Sequence, residues 1–180
     1  MIRTALMTST LLLAPALAFA AGSYDATPPK ETATTTECEG TQVWDEDTET
    51  CVDAVEESKL DDDARYGAVR ELAYAGRNED AQAVLSAMAD QAEARVLTYW
   101  GFTHRKMGNA ALATAYYERA IAVNPDNILA RSYMGQGFVE EGRTSDAIEQ
   151  WRQIKARGGD GTWAEASLRA AIRTGMTYSY

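Results

Sequence analysis

The sequence predicts an all-α fold, a helical-hairpin solenoid behind a disordered acidic N-terminal arm. Three observations carry this expectation. Two stretches echo each other at a spacing of 34 residues, with Gly101 and Gly135, Gly108 and Gly142, and Ala113 and Ala147 as identical pairs. Apolar residues recur with a helical period from Asp61 almost to the end of the chain. Between the periodic stretches stand short clusters of Gly, Asn and Pro, which stop helices and start turns. A fixed period of this size marks stacked supersecondary units that bury their apolar faces against each other.

Taken in order, residues 1–20 read as a secretory signal peptide. Arg3 supplies the positive start, Leu11-Leu12-Leu13 the apolar centre, and Ala18-Phe19-Ala20 the cleavage site. The apolar run is too short for a membrane anchor and holds Pro15, and no later stretch is apolar enough to span a bilayer. The expectation is an exported chain, periplasmic or secreted, that does not span the membrane after signal removal.

Residues 21–37 are rich in Thr, Ala, Pro and Glu and offer little to bury, so they predict a disordered linker. Residues 38–51 hold both cysteines of the chain. An oxidising compartment would join Cys38 to Cys51, which is worth about 3 kcal/mol for so short a loop. Val43 and Trp44 inside the loop suggest a two-stranded hairpin pinned at its base. An acidic connector covers 52–61. Helices are expected near 62–75, 79–89, 92–107, 110–123, 127–141, 145–157 and 162–173, so that the repeat array spans 62–175 and 176–180 form a tail.

The net charge of −10 is unevenly spread. Residues 21–63 carry fourteen Asp and Glu against two Lys, whereas residues 64–180 carry thirteen acids against fourteen Lys and Arg. Such a chain is a poor partner for nucleic acid. The split also raises the expectation that the acidic arm competes in cis for basic residues of the array.

The unit that begins at Ala94 reads ARVLTYWGFTHRKMGNAALATAYYERAIAVNPDN. With Gly101, Ala113, Tyr117, Ala120 and Pro125 at its spaced positions, it resembles a tetratricopeptide repeat. The small residues let two helices approach closely, and Tyr117 fills the gap against the neighbouring unit. A third unit from Ile128 keeps Gly135, Gly142, Ala147 and Trp151, while Ile154 replaces a small residue and Gly159 the proline. A first unit is two residues shorter, packs through Ala81, Leu85 and Met88, and has Val69 where glycine is expected. The resemblance implies about three units plus a capping helix with Trp163 and Leu168.

It further implies a concave groove lined by the first helix of each unit. The positions fall on Asp63, Tyr66, Arg70, Ala73 and Tyr74, then on Arg95, Thr98, Phe102, Arg105 and Lys106, then on Leu129, Ser132, Gln136, Val139 and Glu140. The expected ligand contacts among them are Tyr66, Arg70, Tyr74, Arg95, Thr98, Phe102, Arg105, Lys106, Ser132 and Gln136. Arginine and lysine would bind an acidic partner through charge-assisted hydrogen bonds, with the rings as apolar contacts. The partner is then a protein or peptide, no cofactor is required, and the role is a scaffold.

No nucleophile, base and orienting acid stand together in the sequence, so no enzyme is predicted. His104, the only histidine, sits where the repeat packs a ring. Asp45, Asp47, Glu49, Asp53 and Glu56 follow the spacing of a calcium loop, but Thr50 replaces its turn glycine, and a plain acidic surface is the expectation. The stretch CEGTQVWDEDTETC resembles half of a small chitin-binding module. That likeness implies Trp44 as a contact to a cell-wall glycan, the alternative reading of function.

Overall fold

The computed structural model describes residues 27–56 and 60–177. The expected signal peptide and the first part of the linker lie outside the described residues, as do 57–59 and 178–180. The described chain is mostly helical. Its elements are α1 (Ala33–Thr36), β1 (Gln42–Asp45), β2 (Thr50–Asp53), α2 (Asp62–Tyr74), α3 (Asn78–Ala87), α4 (Ala94–Lys106), α5 (Ala110–Val123), α6 (Ile128–Glu140), α7 (Thr144–Ala156) and α8 (Trp163–Thr174). No described helix is long and apolar enough to cross a membrane.

Helix starts follow local chemistry. The Asp61, Asn127 and Thr162 side chains accept from the amides of Ala64, Ala130 and Glu165, which satisfies donors that have no partner inside the helix. Helix ends repeat the 34-residue echo. Gly108 and Gly142 take φ of 84° and 74°, a region that costs glycine nothing. Beyond them Asn109 N–H donates to His104 O at 2.8 Å and Arg143 N–H to Phe138 O at 2.7 Å, the same closing turn twice.

One end differs from expectation. α3 stops at Ala87, because Gln91 Nε2 donates to the carbonyls of both Leu85 and Met88 at 2.8 Å and takes over the last turn.

The helices pair α2 with α3, α4 with α5, and α6 with α7, while α2, α4, α6 and α8 also touch in series. One core runs through them, with Val69, Leu72, Leu85, Leu97, Tyr99, Tyr117, Tyr133, Ile154 and Leu168 buried. Gly101 admits Tyr117 against the α4 backbone. Gly135 does not admit Trp151, the residue that repeats Tyr117. Leu168 of α8 fills that place, and Trp151 is half-buried with its indole N–H on Glu165 at 2.6 Å. The departures in the third unit compensate each other: a Cβ on Gly159 would meet Ile154 Cγ2 at 2.6 Å, so bulk at 154 requires its absence at 159.

Within the stretch expected as a linker, Ala33–Thr36 form the short helix α1. α1 is capped by Thr32 and fixed to α2 by the buried Glu71. Glu71 accepts from the Thr32 amide at 2.7 Å, from the Thr35 amide at 3.2 Å, and from the Thr32 and Thr35 hydroxyls. The hairpin behaves as expected. Its strands are antiparallel with Trp44 opposite Cys51, and Cys38 and Cys51 stand at an S–S distance of 1.98 Å. Arg77 ties it down by donating to the carbonyls of Cys38 and Gly40.

Candidate functional site

Successive first helices touch in series, α2 against α4 and α4 against α6. Residues on these helices build a strip in which cations alternate with rings. The Arg95 guanidinium lies 4.9 Å from the centre of the Tyr66 ring, and Arg70 lies 5.9 Å from it. Arg105 and Lys106 approach the Phe102 ring at 5.5 and 5.7 Å. Tyr74 stacks on Phe102 with centroids 5.3 Å apart and only 6° between planes. Cations over ring faces are attracted by the ring quadrupole and keep their stems against apolar surface.

The expected ligand contacts divide into two groups. Tyr66, Arg70, Tyr74, Arg95, Phe102 and Lys106 are brought together in the strip. Thr98, Ser132 and Gln136 are not in it; all three are buried and bonded within the fold, and the rings of Tyr66 and Phe102 are buried as well. Thr98 is buried and its hydroxyl accepts from Asn127 Nδ2 at 2.9 Å, which joins α4 to the start of α6. Ser132 donates to Ala164 O at 2.7 Å and joins α6 to α8, and Gln136 donates to Ser132. Small polar residues on closely packed helices serve the helices first, because a buried hydroxyl without a partner is costly.

Arg105 also departs from a free ligand contact. It is buried, and Nη1 pairs with Glu140 at 2.5 Å. Burial works against its charge, but the nearby Tyr117 and Glu140 outweigh that and hold it above its ordinary value. Arg95 pairs with Asp63 at 2.5 Å and with Glu93 at 2.6 Å. There too, burial is outweighed by the hydrogen bonds to the two acids, so its charge is firmly held. Lys106 is pulled below the ordinary lysine value, by burial first and by the Arg105 charge second. The strip therefore holds fixed guanidinium charges with built-in carboxylate partners and one ammonium that gives up its proton more readily.

Among the described residues, Thr27, Thr32 and Thr35 of the arm reach α2 through neutral groups. Thr27 presents its carbonyl to Arg70 at 2.6 Å, and the threonines bind Glu71. These are contacts of carbonyls, amides and hydroxyls. A small cavity lined by Pro29, Lys30, Glu31, Glu71, Tyr74 and Ala75 lies at the junction.

His104 stands outside the strip. Its ring lies beside those of Trp100 at 5.8 Å and Tyr116 at 5.5 Å, which stand 5.9 Å from each other, and burial lowers its titration. Trp44 is half-buried beside the disulfide, with its amide donating to Thr34 Oγ1. The acids of the hairpin serve their own turns: Asp45 accepts from the Asp47 amide and Asp53 from the Val55 amide. Among the described residues, no group of three or more His, Cys, Asp and Glu is placed to hold a metal ion.

Sequence reasoning missed Tyr133 and Trp163. Tyr133 shares a hydroxyl contact of 2.5 Å with Tyr74, and Trp163 lies 6.0 Å from the Tyr74 ring. Both contacts join residues far apart in the chain, and nothing local marks them. No family model, curated protein or solved structure matches this chain.

Proposed function

We propose that this chain is an exported, non-catalytic interaction module of the tetratricopeptide type, which binds an extended segment of a partner protein along the strip of α2 and α4. The single observation that carries the reading is the seating of cations over rings on those two helices: Arg95 and Arg70 at Tyr66, and Lys106 at Phe102. The buried rings of Tyr66 and Phe102 seat the cations above them, and cations select acidic side chains or carbonyls. The serial contacts of α2, α4, α6 and α8 support the solenoid arrangement. The cysteine pair and the signal-like first twenty residues support export.

The test is affinity capture from cell-envelope extract by the mature chain, compared with an Arg70→Glu/Lys106→Glu variant of unchanged circular dichroism. Capture should fail for the variant. If both proteins capture the same partners, the strip is not the binding face.

A further inference from the structure

Residues 27–36 lie along α2 as one segment of chain seated on a surface. The Thr27 carbonyl accepts from Arg70 Nη2 at 2.6 Å. Further along, Glu71 Oε1 accepts from the Thr32 amide at 2.7 Å, the Thr35 amide at 3.2 Å and the Thr35 hydroxyl at 2.8 Å. The Thr32 hydroxyl donates to Oε2 at 2.8 Å. Between these anchors Pro29, Lys30 and Glu31 border the small cavity beside Tyr74 and Ala75, so the segment does not fill the face it covers. None of its residues belongs to the hydrophobic core, and only Thr34 among them is buried. Glu71 is buried, and among the described residues each hydrogen bond its carboxylate accepts comes from this segment. A buried carboxylate without donors is costly, so an occupant that leaves must be replaced by groups that donate.

We propose that the Arg70–Glu71 edge of α2 is a docking site for a Thr-x-x-Thr segment, that the chain's own arm is its resident ligand, and that a partner segment of the same chemistry takes the site by displacing it. The anchors define the ligand class. Arg70 takes a backbone carbonyl, and Glu71 takes an amide and a hydroxyl from each of two residues spaced by three. An acidic side chain at the second anchor would face the Glu71 carboxylate and be repelled. Because the arm is held by polar contacts, a competitor that offers the same donors exchanges like for like. The tether keeps the arm at high local concentration, so a free segment succeeds only where the arm's own bonds weaken. The inference rests on the proposed binding face and narrows it: a partner's acidic groups belong over α4, and its paired hydroxyls belong at Glu71.

The probe is a synthetic peptide of residues 27–36, titrated into the isotope-labelled mature chain and followed by NMR at the amides of Arg70 to Ala75. Thr32→Val/Thr35→Val in the chain removes the arm's two hydroxyls and keeps its shape. The peptide should bind this variant at least about tenfold more tightly than the parent, since apparent affinity scales with the fraction of sites left open. A peptide carrying the same two valines should not bind it, and neither peptide should bind a Glu71→Ala chain. Equal response in the parent and the double variant, or equal response to the threonine and valine peptides, overturns the proposal. Thr35→Ala in the chain gives the same comparison if the double variant folds poorly. No partner enters this test, so its failure alongside a successful capture experiment would reject the resident ligand and leave the strip as the binding face.

Discussion

Gly101 of α4 lies against the ring of Tyr117 of α5, so close that a Cβ on Gly101 would stand 2.5 Å from Tyr117 Cε1. The ring is fully buried and has no room to withdraw. Gly101→Ala should therefore cost about 1–2 kcal/mol, since overpacking outweighs the better helix propensity of alanine. Gly67 of α2 is the control. A Cβ there meets nothing within 4 Å, and Gly67→Ala should gain about 0.5–1 kcal/mol. Urea unfolding of the two variants checks the sign, and a Gly101→Ala midpoint at or above the parent would show that the helix pair can separate.

Glu71 holds the arm with hydrogen bonds from Thr32 and Thr35. Hydrogen bonds to a charged acceptor are the stronger kind, and losing a set of them should release the arm at a cost of about 2 kcal/mol. In Glu71→Ala the amides of Thr35 and Thr36 should exchange with deuterium much faster, while α4 to α8 keep their protection. Unchanged exchange at Thr35 would mean that the hairpin and Arg77 suffice to seat the arm.

Tyr117 is pushed up to about 12 by burial, and Tyr133 is also raised well above the ordinary tyrosine value, by burial and then by Tyr99 and Tyr74. Ionisation is thus harder in the folded chain than in the unfolded one, which titrates near pH 10. Stability should be level below about pH 9 and fall between pH 10 and 12, by about 1.4 kcal/mol per pH unit for each buried tyrosine. Tyr117→Phe should remove one share of that slope, and with it the contact of its hydroxyl to the buried Arg105. Urea midpoints across this range decide it, and a Tyr117→Phe slope equal to the parent's would refute the assignment.

The helical part of the fold could be read from the chain because its determinants are local and recur. Gly108 and Gly142 end helices by backbone freedom alone, and Ala113, Ala120 and Ala147 are buried where close approach demands small residues. The strip was only partly readable. Position along the repeat brings Tyr66, Arg95, Phe102 and Lys106 to one face, but it does not say whether a side chain there is already engaged. Thr98 is claimed by Asn127 and Arg105 by Glu140, partners 29 and 35 residues away. The docked arm was hidden for a different reason. Its composition offers nothing to bury, yet Thr32 and Thr35 are ordered by a single acid on α2, and polar anchoring leaves no hydrophobic pattern to detect.

Tyr74 of the first long helix reaches both Tyr133 of α6 and Trp163 at the start of the last helix. A row of units that touch only their immediate neighbours can lose one end while the rest survives. Here the opening helix leans on the closing one, so neither end can peel away without stripping the other of contacts. Heat or denaturant should then take α2 to α8 in a single step, and trimming the array from either side should weaken the helices at its far end.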